Sequence, residues 1–583
     1  MITAEEIFQE IELHLDKRQK LRVRYSCLYS LLRRICTERS EGFHTDFSGL
    51  FSQLYAVCQA AGIDYHAADS FRRRARMVLL EKEIATETTF LTDVSLLCRF
   101  LCELYAVDMP GTLMGKLQNT AQTATIKKTF IIRKQRIRAI VTEVRSNAFS
   151  CTCELGDSTV LVPHLKRTLQ VLRKGMAVNL IDAEVIGDDM IKAGMIIIEP
   201  DYLIDVSALA ACVKPYGDSP LNYFVNMFSP RQITLPILLG DAANRFMDDK
   251  VNASGQKSGD QLFVSSLQQH FQENMLAYAC LSEAPDRVYA ANLKATYNHV
   301  SKAVSEQFLS PEVDIDVDEV LLEPSFICEC LGLRGRFDVM TADYLRLVEL
   351  KSGKAQEHFG HAVRPKEEHV LQMSLYKEIL HYNFNIPRDA VRSFLLYSRY
   401  PIFYNERSSS QAVRNILELR NEIVALEQCI REGQWQEVVP LMASEKLNLR
   451  QLSTPLWKKY FQPSIEAVMQ PLRQMTPLLS AYFNHFLTFL EREKFLSKTT
   501  DNRPDSNRGF ASVWTADLTT KLMAGDILIN LRIIEESGLG GVEALTLGLP
   551  DYGDKFIANF SVGEMVQLYE RREKNDSVTT RQL

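Results

Sequence analysis

The stretch FICECLGLRGRFDVMTADYLRLVELKSGK, residues 326 to 354, sets the tightest limit on how this chain folds. It reads as a β-strand, a turn at Thr341 to Tyr344 and a second strand, so a β-hairpin is expected. Asp338 falls near the end of the first strand; Glu349 and Lys351 fall on the second. Alternation along a strand puts Glu349 and Lys351 on one face and turns Val348 and Leu350 toward a core on the other. Two acids and a lysine at the end of an apolar strand are costly to bury without partners. A divalent cation would offset that cost. The short pattern E-x-K is common, but G-R-F-D, ten residues and then E-L-K-S-G-K is much rarer.

These residue types suit phosphodiester hydrolysis. That reaction needs charge stabilisation on phosphoryl oxygens and a water made nucleophilic near neutral pH, and Mg²⁺ or Mn²⁺ supplies both. Such ions prefer hard oxygen ligands, so Asp338, Glu349 and the backbone carbonyl of Leu350 are expected to form a partial shell completed by water and phosphate. Lys351 would orient the attacking water or stabilise phosphate charge. An ordinary surface hairpin with a Glu–Lys pair is the bland alternative.

A chain of 583 residues is too long for one core, and several domains are expected. Residues 1–122 read as a helical N-terminal domain, with Leu50, Phe51, Leu54, Tyr55 and Cys58 at helical spacing. From about Lys128 the rhythm becomes that of short β-branched segments parted by Gly, Asp and Asn. Residues 123–205 are therefore expected to form a small OB-like β-barrel. Residues 206–440 alternate helices and strands, residues 441–510 read as a helical extension, and residues 511–583 as a β-rich segment. The fold class is thus multidomain α/β.

The net charge of -6 argues against a uniformly basic coat. Between residues 121 and 175, however, eleven Lys and Arg stand against three Asp and Glu, which favours a nucleic-acid surface on the barrel. The basic run at 17–24 reads as a solvated helical face. Twelve cysteines, mostly inside apolar runs, read as reduced thiols of a cytoplasmic protein. No stretch is long and apolar enough for a membrane span, and the first twenty residues lack the pattern of a secretory signal.

GRFDVM followed by VELKSGK resembles motifs II and III of the RecB-type nucleases of the PD-(D/E)XK superfamily, whose core is restriction-endonuclease-like. In HVLQMSLYKEIL, Gln372 and Tyr376 match the Q-x-x-x-Y pattern of that branch. The resemblance implies that Asp338 and Glu349 bind metal, that Lys351 assists catalysis, and that Gln372 and Tyr376 lie near substrate and the active-site strands. It covers roughly residues 206–583 and is specific from Asp338 to Tyr376. The tail segments FASVWTADLTTKLMAGDILINLRI and FSVGEMVQLY resemble the passage into a helicase-associated barrel. The similarity points to the nuclease halves of helicase-nucleases that trim single-stranded flaps and ends.

Two departures stand out. The family's upstream metal-binding His corresponds best to Asn244 in LLGDAANRFMDD, a weaker amide ligand, with Asp248 one turn along as a compensating acid. A four-Cys iron-sulfur cluster lacks ligands, since only Cys429 follows Tyr376 to join Cys212. No cluster is expected, and no nucleotide site either, because no Walker A pattern occurs. Arg336 would contact phosphate or pair with an acid, and Lys354 is a further DNA contact. His358, His361 and His369 read as solvent-exposed or phosphate-approaching loop histidines.

The expected activity is therefore Mg²⁺- or Mn²⁺-dependent hydrolysis of single-stranded, flapped or end-processed DNA in replication or repair. The expected partners are DNA and a helicase module beyond residue 583 or on another chain, with no membrane. The alternative, motivated by Asn244, is a non-catalytic DNA-binding scaffold or a partner-docking subunit of a helicase-nuclease complex.

Overall fold

Helices occupy the first part of the chain because apolar faces at helical spacing hold them together. The structure is a computed structural model that describes residues 3–43, 47, 49–117, 131–162, 165–253, 259–283, 285–353, 355–358, 362–400, 402–405, 408–499, 509–537, 544–552, 558–564, 566 and 568; of 356–358, 362 and 363 it describes the backbone alone. These residues divide into two compact units, residues 1–200 and 201–583.

In the first unit, α1 to α6 span Ala4–Leu13, Leu21–Ser40, Leu50–Ala61, His66–Leu79, Glu87–Tyr105 and Gly111–Leu117. Thr3 and Glu6 form a reciprocal cap on α1, and Thr86 with Thr89 does the same on α5. Leu28, Leu32 and Ile35 of α2 share one core with Leu97, Phe100 and Leu101 of α5, each set at three- and four-residue spacing. The basic run at 17–24 is solvated as expected at Lys17, Arg18, Lys20 and Arg22, but only its last part is helical and Arg24 is buried. Residues 17–20 precede α2, Arg22 pairs with Glu81, and buried Arg24 donates to Glu87 and to the His14 carbonyl. Tertiary partners override the charge pattern at Arg24 alone.

The barrel follows: β1 (Ile131–Val144), β2 (Ala148–Cys153), β3 (Gly156–Leu161), α7 (Lys166–Val171), β4 (Ala177–Ile186), β5 (Met190–Lys192) and β6 (Met195–Ile198). The long β1 pairs with both β2 and β4, β3 runs parallel to β5, and β5 pairs with β4, so five strands close in the order 1-2-3-5-4 and back to 1. Closure removes exposed sheet edges. The turn between β4 and β5 docks on the helices. Asp189 accepts from the Ser52 amide (3.2 Å) and hydroxyl (3.0 Å), while Arg72 (3.2 Å) and Arg76 (2.9 Å) donate to Asp188. Gly187 is required there: its φ is +66°, and a Cβ would stand 2.5 Å from the Phe51 ring.

The second unit opens with β7 (Ile204–Asp205), α8 (Val206–Ala210), the hairpin β8 (Val213–Lys214) and β9 (Gly217–Asp218), and α9 (Leu221–Phe228). Then come α10 (Leu235–Asn252), α11 (Gly259–Glu273), α12 (Met275–Ala279) and α13 (Arg287–Lys302). The strands β10 (Val320–Leu322), β11 (Ser325–Cys328), β12 (Leu333–Arg336), β13 (Val339–Thr341), β14 (Arg346–Lys351), β15 (Gln356–His358) and β16 (Ala362–Arg364) follow. α14 (Glu367–Phe384), β17 (Arg392–Tyr397), β18 (Phe403–Tyr404) and α15 (Ser410–Arg431) complete this part.

A five-stranded sheet in the order β10-β13-β14-β17-β18 is antiparallel except for the parallel β14–β17 pair. On one face Val348, Leu350, Phe394 and Leu396 bury against Leu239, Ala243, Phe246 and Met247 of α10 and Tyr297 of α13. The opposite face of β14 carries Glu349 and Lys351 toward α14.

The expected first strand of the hairpin is broken. A turn at residues 329–332, with Gly332 at φ +62°, separates β11 from β12, and a bend at Phe337–Asp338 moves the chain out of the β7–β12–β11 sheet into the five-stranded one. Only Val339 and Met340 pair with β14 as an antiparallel hairpin. One continuous strand cannot serve two sheets, so the chain bends at Asp338.

Helices Trp435–Val438, Ser444–Leu447, Thr454–Leu456, Gln462–Arg473 and Pro477–Lys498 follow α15. Residues 512–515 and 518–524 are also helical, where a β-rich segment was expected; the strands Arg532–Ser537 and Ala544–Gly548 form a hairpin. The expected third tail strand, 555–570, lies partly outside the described residues, and its described residues form no strand. Among the described residues, no helix is long and apolar enough to cross a membrane.

Candidate active site

Asp338 is placed by the bend between two sheets. Glu323, at the facing passage from β10 to β11, adopts φ +49°, a left-handed conformation that a side chain disfavours. Its amide donates to the Asp338 carbonyl at 3.0 Å, and the Phe337 amide donates to the Pro324 carbonyl at 3.0 Å. Two neighbouring crossovers are thereby stapled together, and Asp338 is held at the junction.

From there Asp338 reaches β14: its Oδ2 accepts from the Leu350 amide at 2.7 Å. Pairing of β13 with β14 ends at Val339–Val348, which leaves that amide outside the ladder. In an extended strand the amide and carbonyl of one residue point the same way, so the Leu350 carbonyl also faces the Asp338 side.

Glu349 is 4% exposed. Its Oε1 accepts from Lys351 Nζ and from Gln372 Nε2, both at 2.7 Å. Lys351 Nζ also donates to Gln372 Oε1 at 2.9 Å. An ammonium has only donors, which fixes the Gln372 amide with its oxygen toward Lys351. Gln372 Nε2 also donates to the Tyr376 hydroxyl at 2.7 Å, which donates to the Arg336 carbonyl at 2.9 Å. Helical spacing of four residues makes this chain of contacts possible. Gly335 makes room for it: a Cβ there would lie 2.9 Å from Tyr376 Cε1. Thus Asp338, Glu349, Lys351, Gln372 and Tyr376 converge.

Two features suit a cation. Among the described residues Glu349 Oε2 is buried with no hydrogen-bond partner, an expensive state for a carboxylate oxygen. Burial, and next the Glu349 charge, push the Asp338 carboxyl up to about 8, against the pull of the Leu350 amide and Lys351. Among the described residues, no three His, Cys, Asp or Glu side chains form a metal cage. An ion would therefore rest on the two carboxylates, the Leu350 carbonyl and oxygens from outside the chain, as Mg²⁺ tolerates.

Asn244 is half-buried on α10, on the helical face shared with Gly240 and Asp248. A Cβ on Gly240 would stand 2.9 Å from Ser352 Oγ, so this face meets the end of β14. Asn244 has no hydrogen bond to Asp338 or Glu349 among the described residues. Asp248 is pushed up to about 6 by burial and then by the charges of Glu323 and Asp249, with Arg336 opposing. Asp248 is thereby linked electrostatically to Glu323 and Arg336, which flank the Asp338 bend.

Arg336 takes the acid-pairing option, donating to Glu323 Oε2 at 3.2 Å from an exposed position. His369 is not an exposed loop residue. It lies in the first turn of α14, its Nδ1 2.8 Å from the Tyr397 hydroxyl, and burial followed by Lys351, Lys366 and Lys214 holds the imidazole down to about 3. Lys354 and His361 lie outside the described residues, as does the His358 side chain. The sequence reading missed Glu323 and Tyr397. Nothing local distinguishes the first; Tyr397 was accessible only through its register opposite Lys351.

No protein-family model matches the chain, and no curated protein is significantly similar to it.

Proposed function

We propose that this chain is a metal-dependent deoxyribonuclease with a PD-(D/E)XK core, cutting single-stranded, flapped or end-processed DNA in replication or repair. The observation that carries the reading is the meeting of Asp338 and Glu349 at 338–351, with Glu349 Oε2 unpaired among the described residues and Lys351 beside it. Asp338, Glu349 and the Leu350 carbonyl would hold Mg²⁺ or Mn²⁺. When bound, such an ion polarises a phosphoryl oxygen and lowers the pKa of water. The Lys351 ammonium, held by Glu349 and Gln372, offers its remaining hydrogen to a phosphate oxygen or to the attacking water. Gln372 keeps Lys351 and Glu349 in register, and Tyr376 anchors Gln372 to the strand leading into Asp338.

The closed barrel has the strand order of an OB-type module, and the basic surplus across it supports contact with single strands. Single-stranded or flapped DNA and a helicase module are the partners implied by the resemblance.

The test is incubation of the purified chain with labelled single-stranded, duplex and flapped DNA, with and without Mn²⁺. Asp338→Ala, Glu349→Ala and Lys351→Ala are each expected to abolish cutting while most DNA binding persists. Undiminished cutting by any of them would refute the assignment. The scaffold reading draws on Asn244, whose amide is a poor substitute for a metal-binding imidazole. It requires salt-sensitive binding without Mn²⁺-dependent cutting.

A further inference from the structure

Beside Lys351, on the side away from Asp338, two ammonium groups and a histidine surround one carboxylate. Lys366, the residue before α14, places Nζ 3.9 Å from Glu368 Oε1. His369 places Nε2 3.6 Å from the same oxygen, and Lys214 of β8 places Nζ 3.7 Å from Oε2. All three distances exceed hydrogen-bond length. Glu368 is thus drawn in by charge, and among the described residues no donor locks it.

His369 is the built part of this group. The Lys366 amide donates to the Tyr397 hydroxyl at 3.1 Å, and that hydroxyl lies 2.8 Å from His369 Nδ1. The arrangement favours a hydrogen passed from Tyr397 to Nδ1, with Nε2 carrying the ring hydrogen toward Glu368. Tyr397 is the strand neighbour of Lys351, and His369 precedes Gln372 by one helical turn, so the group is tied to the catalytic strand through backbone register. Two ammonium groups and a neutral imidazole donor converge on a site held by a loosely attached anion.

We propose that Lys214, Lys366 and His369 form a binding subsite for one backbone phosphate of a DNA strand, and that Glu368 occupies it until the strand displaces it. The subsite rests on the nuclease reading for its choice of ligand. A diester phosphate shares one negative charge between two non-bridging oxygens that can take hydrogen bonds from all three donors, whereas the Glu368 carboxylate, tethered to α14, meets none at bonding distance. The subsite fixes strand register relative to Lys351 without touching the scissile atoms.

The experiment measures binding of a fluorescein-labelled single-stranded oligonucleotide to the full chain in EDTA across a salt series. Lys214→Ala/Lys366→Ala is expected to weaken binding about fivefold and to lower the slope of log Kd against log salt by about 0.7, the share of one phosphate on a single strand. Glu368→Gln is expected to tighten binding roughly two- to fivefold. Both lysines are partly exposed, and Lys214→Gln/Lys366→Gln, which keeps the stems, serves as a second variant, with thermal melts on each. An unchanged salt slope in both lysine pairs, or Glu368→Gln binding no tighter than the parent, overturns the subsite.

Inorganic phosphate alone is a separate arm. Competition with the oligonucleotide on the parent chain but not on the lysine pair supports the shared chemistry; phosphate binding without DNA binding overturns the strand assignment. Mn²⁺-dependent cutting is scored independently. Binding effects as expected with no cutting would sink the nuclease reading alone, and intact cutting without the binding effects would sink the subsite alone.

Discussion

Gln372 Nε2 and Glu349 Oε1 are 2.7 Å apart, so a helix and the central strand of the sheet share one buried carboxylate. Because Lys351 bonds to both residues, the three side chains form a closed triangle. Removing any corner costs each of the other two one hydrogen bond in a largely buried setting, while their bond to each other remains.

Gln372→Leu should therefore destabilise the protein by about 1–3 kcal/mol, the cost of stranding buried donors and acceptors. Cutting should fall by more than the stability loss explains, because Lys351 loses one of its two anchors. Chemical denaturation and single-turnover cleavage, measured under conditions where the variant is folded, check both halves.

Tyr376→Phe keeps the ring but removes the hydroxyl linking Gln372 to the Arg336 carbonyl. A loss of about 1–2 kcal/mol is expected, with a smaller effect on cutting than Gln372→Leu. Equal effects on cutting would mean that the hydroxyl does more than anchor Gln372.

Gly335→Ala should overpack the same wall. The new Cβ would lie 2.9 Å from Tyr376 Cε1, and forced displacement in a packed core typically costs about 1–3 kcal/mol. A lowered Tm with weakened cutting is the expected result; a Tm equal to the parent's would show that Tyr376 yields freely.

The Asp338 carboxyl, raised to about 8, gives a sign to the pH dependence. An unfolded Asp titrates near about 3.9, so the folded, ion-free protein holds this proton more tightly than the unfolded chain. The contribution of this group to stability is fully present below about 4, declines as pH rises toward about 8, and is flat above that. A cation must displace the proton, so Mn²⁺ affinity should climb with pH up to about 8, releasing roughly one proton at neutral pH and none well above 8. Calorimetric titrations in buffers of different ionisation heat measure that release directly.

In the first unit, Asp189→Ala removes the acceptor of the Ser52 amide and hydroxyl, and Gly187→Ala drives a methyl into Phe51 from a left-handed backbone. Both should loosen the β4–β5 turn from the helices, Gly187→Ala more severely, seen as faster amide exchange in residues 186–190. Cleavage chemistry should be unaffected by Asp189→Ala.

Much of the site follows from local periodicity. Residues two apart on a strand share a face, so Glu349 and Lys351 had to lie together, opposite Val348 and Leu350 and the core those residues join. Residues four apart on a helix share a face, so Gln372 and Tyr376 had to act as a pair. The change of rhythm near residue 128 marked the barrel because short β-branched runs parted by turn residues favour strands over helices.

Tertiary structure decided what periodicity cannot carry. It decided that Asp338 stands at a bend between two sheets, opposite a left-handed Glu323. It gave Arg336 an acid partner, buried Arg24 against Glu87, and set His369 against Tyr397. Each of these joins residues 13 to 63 positions apart, and their meeting depends on which strands and helices become neighbours. Sequence spacing sets the direction in which a side chain leaves its own strand or helix; what it meets there is set by packing among segments far apart in the chain.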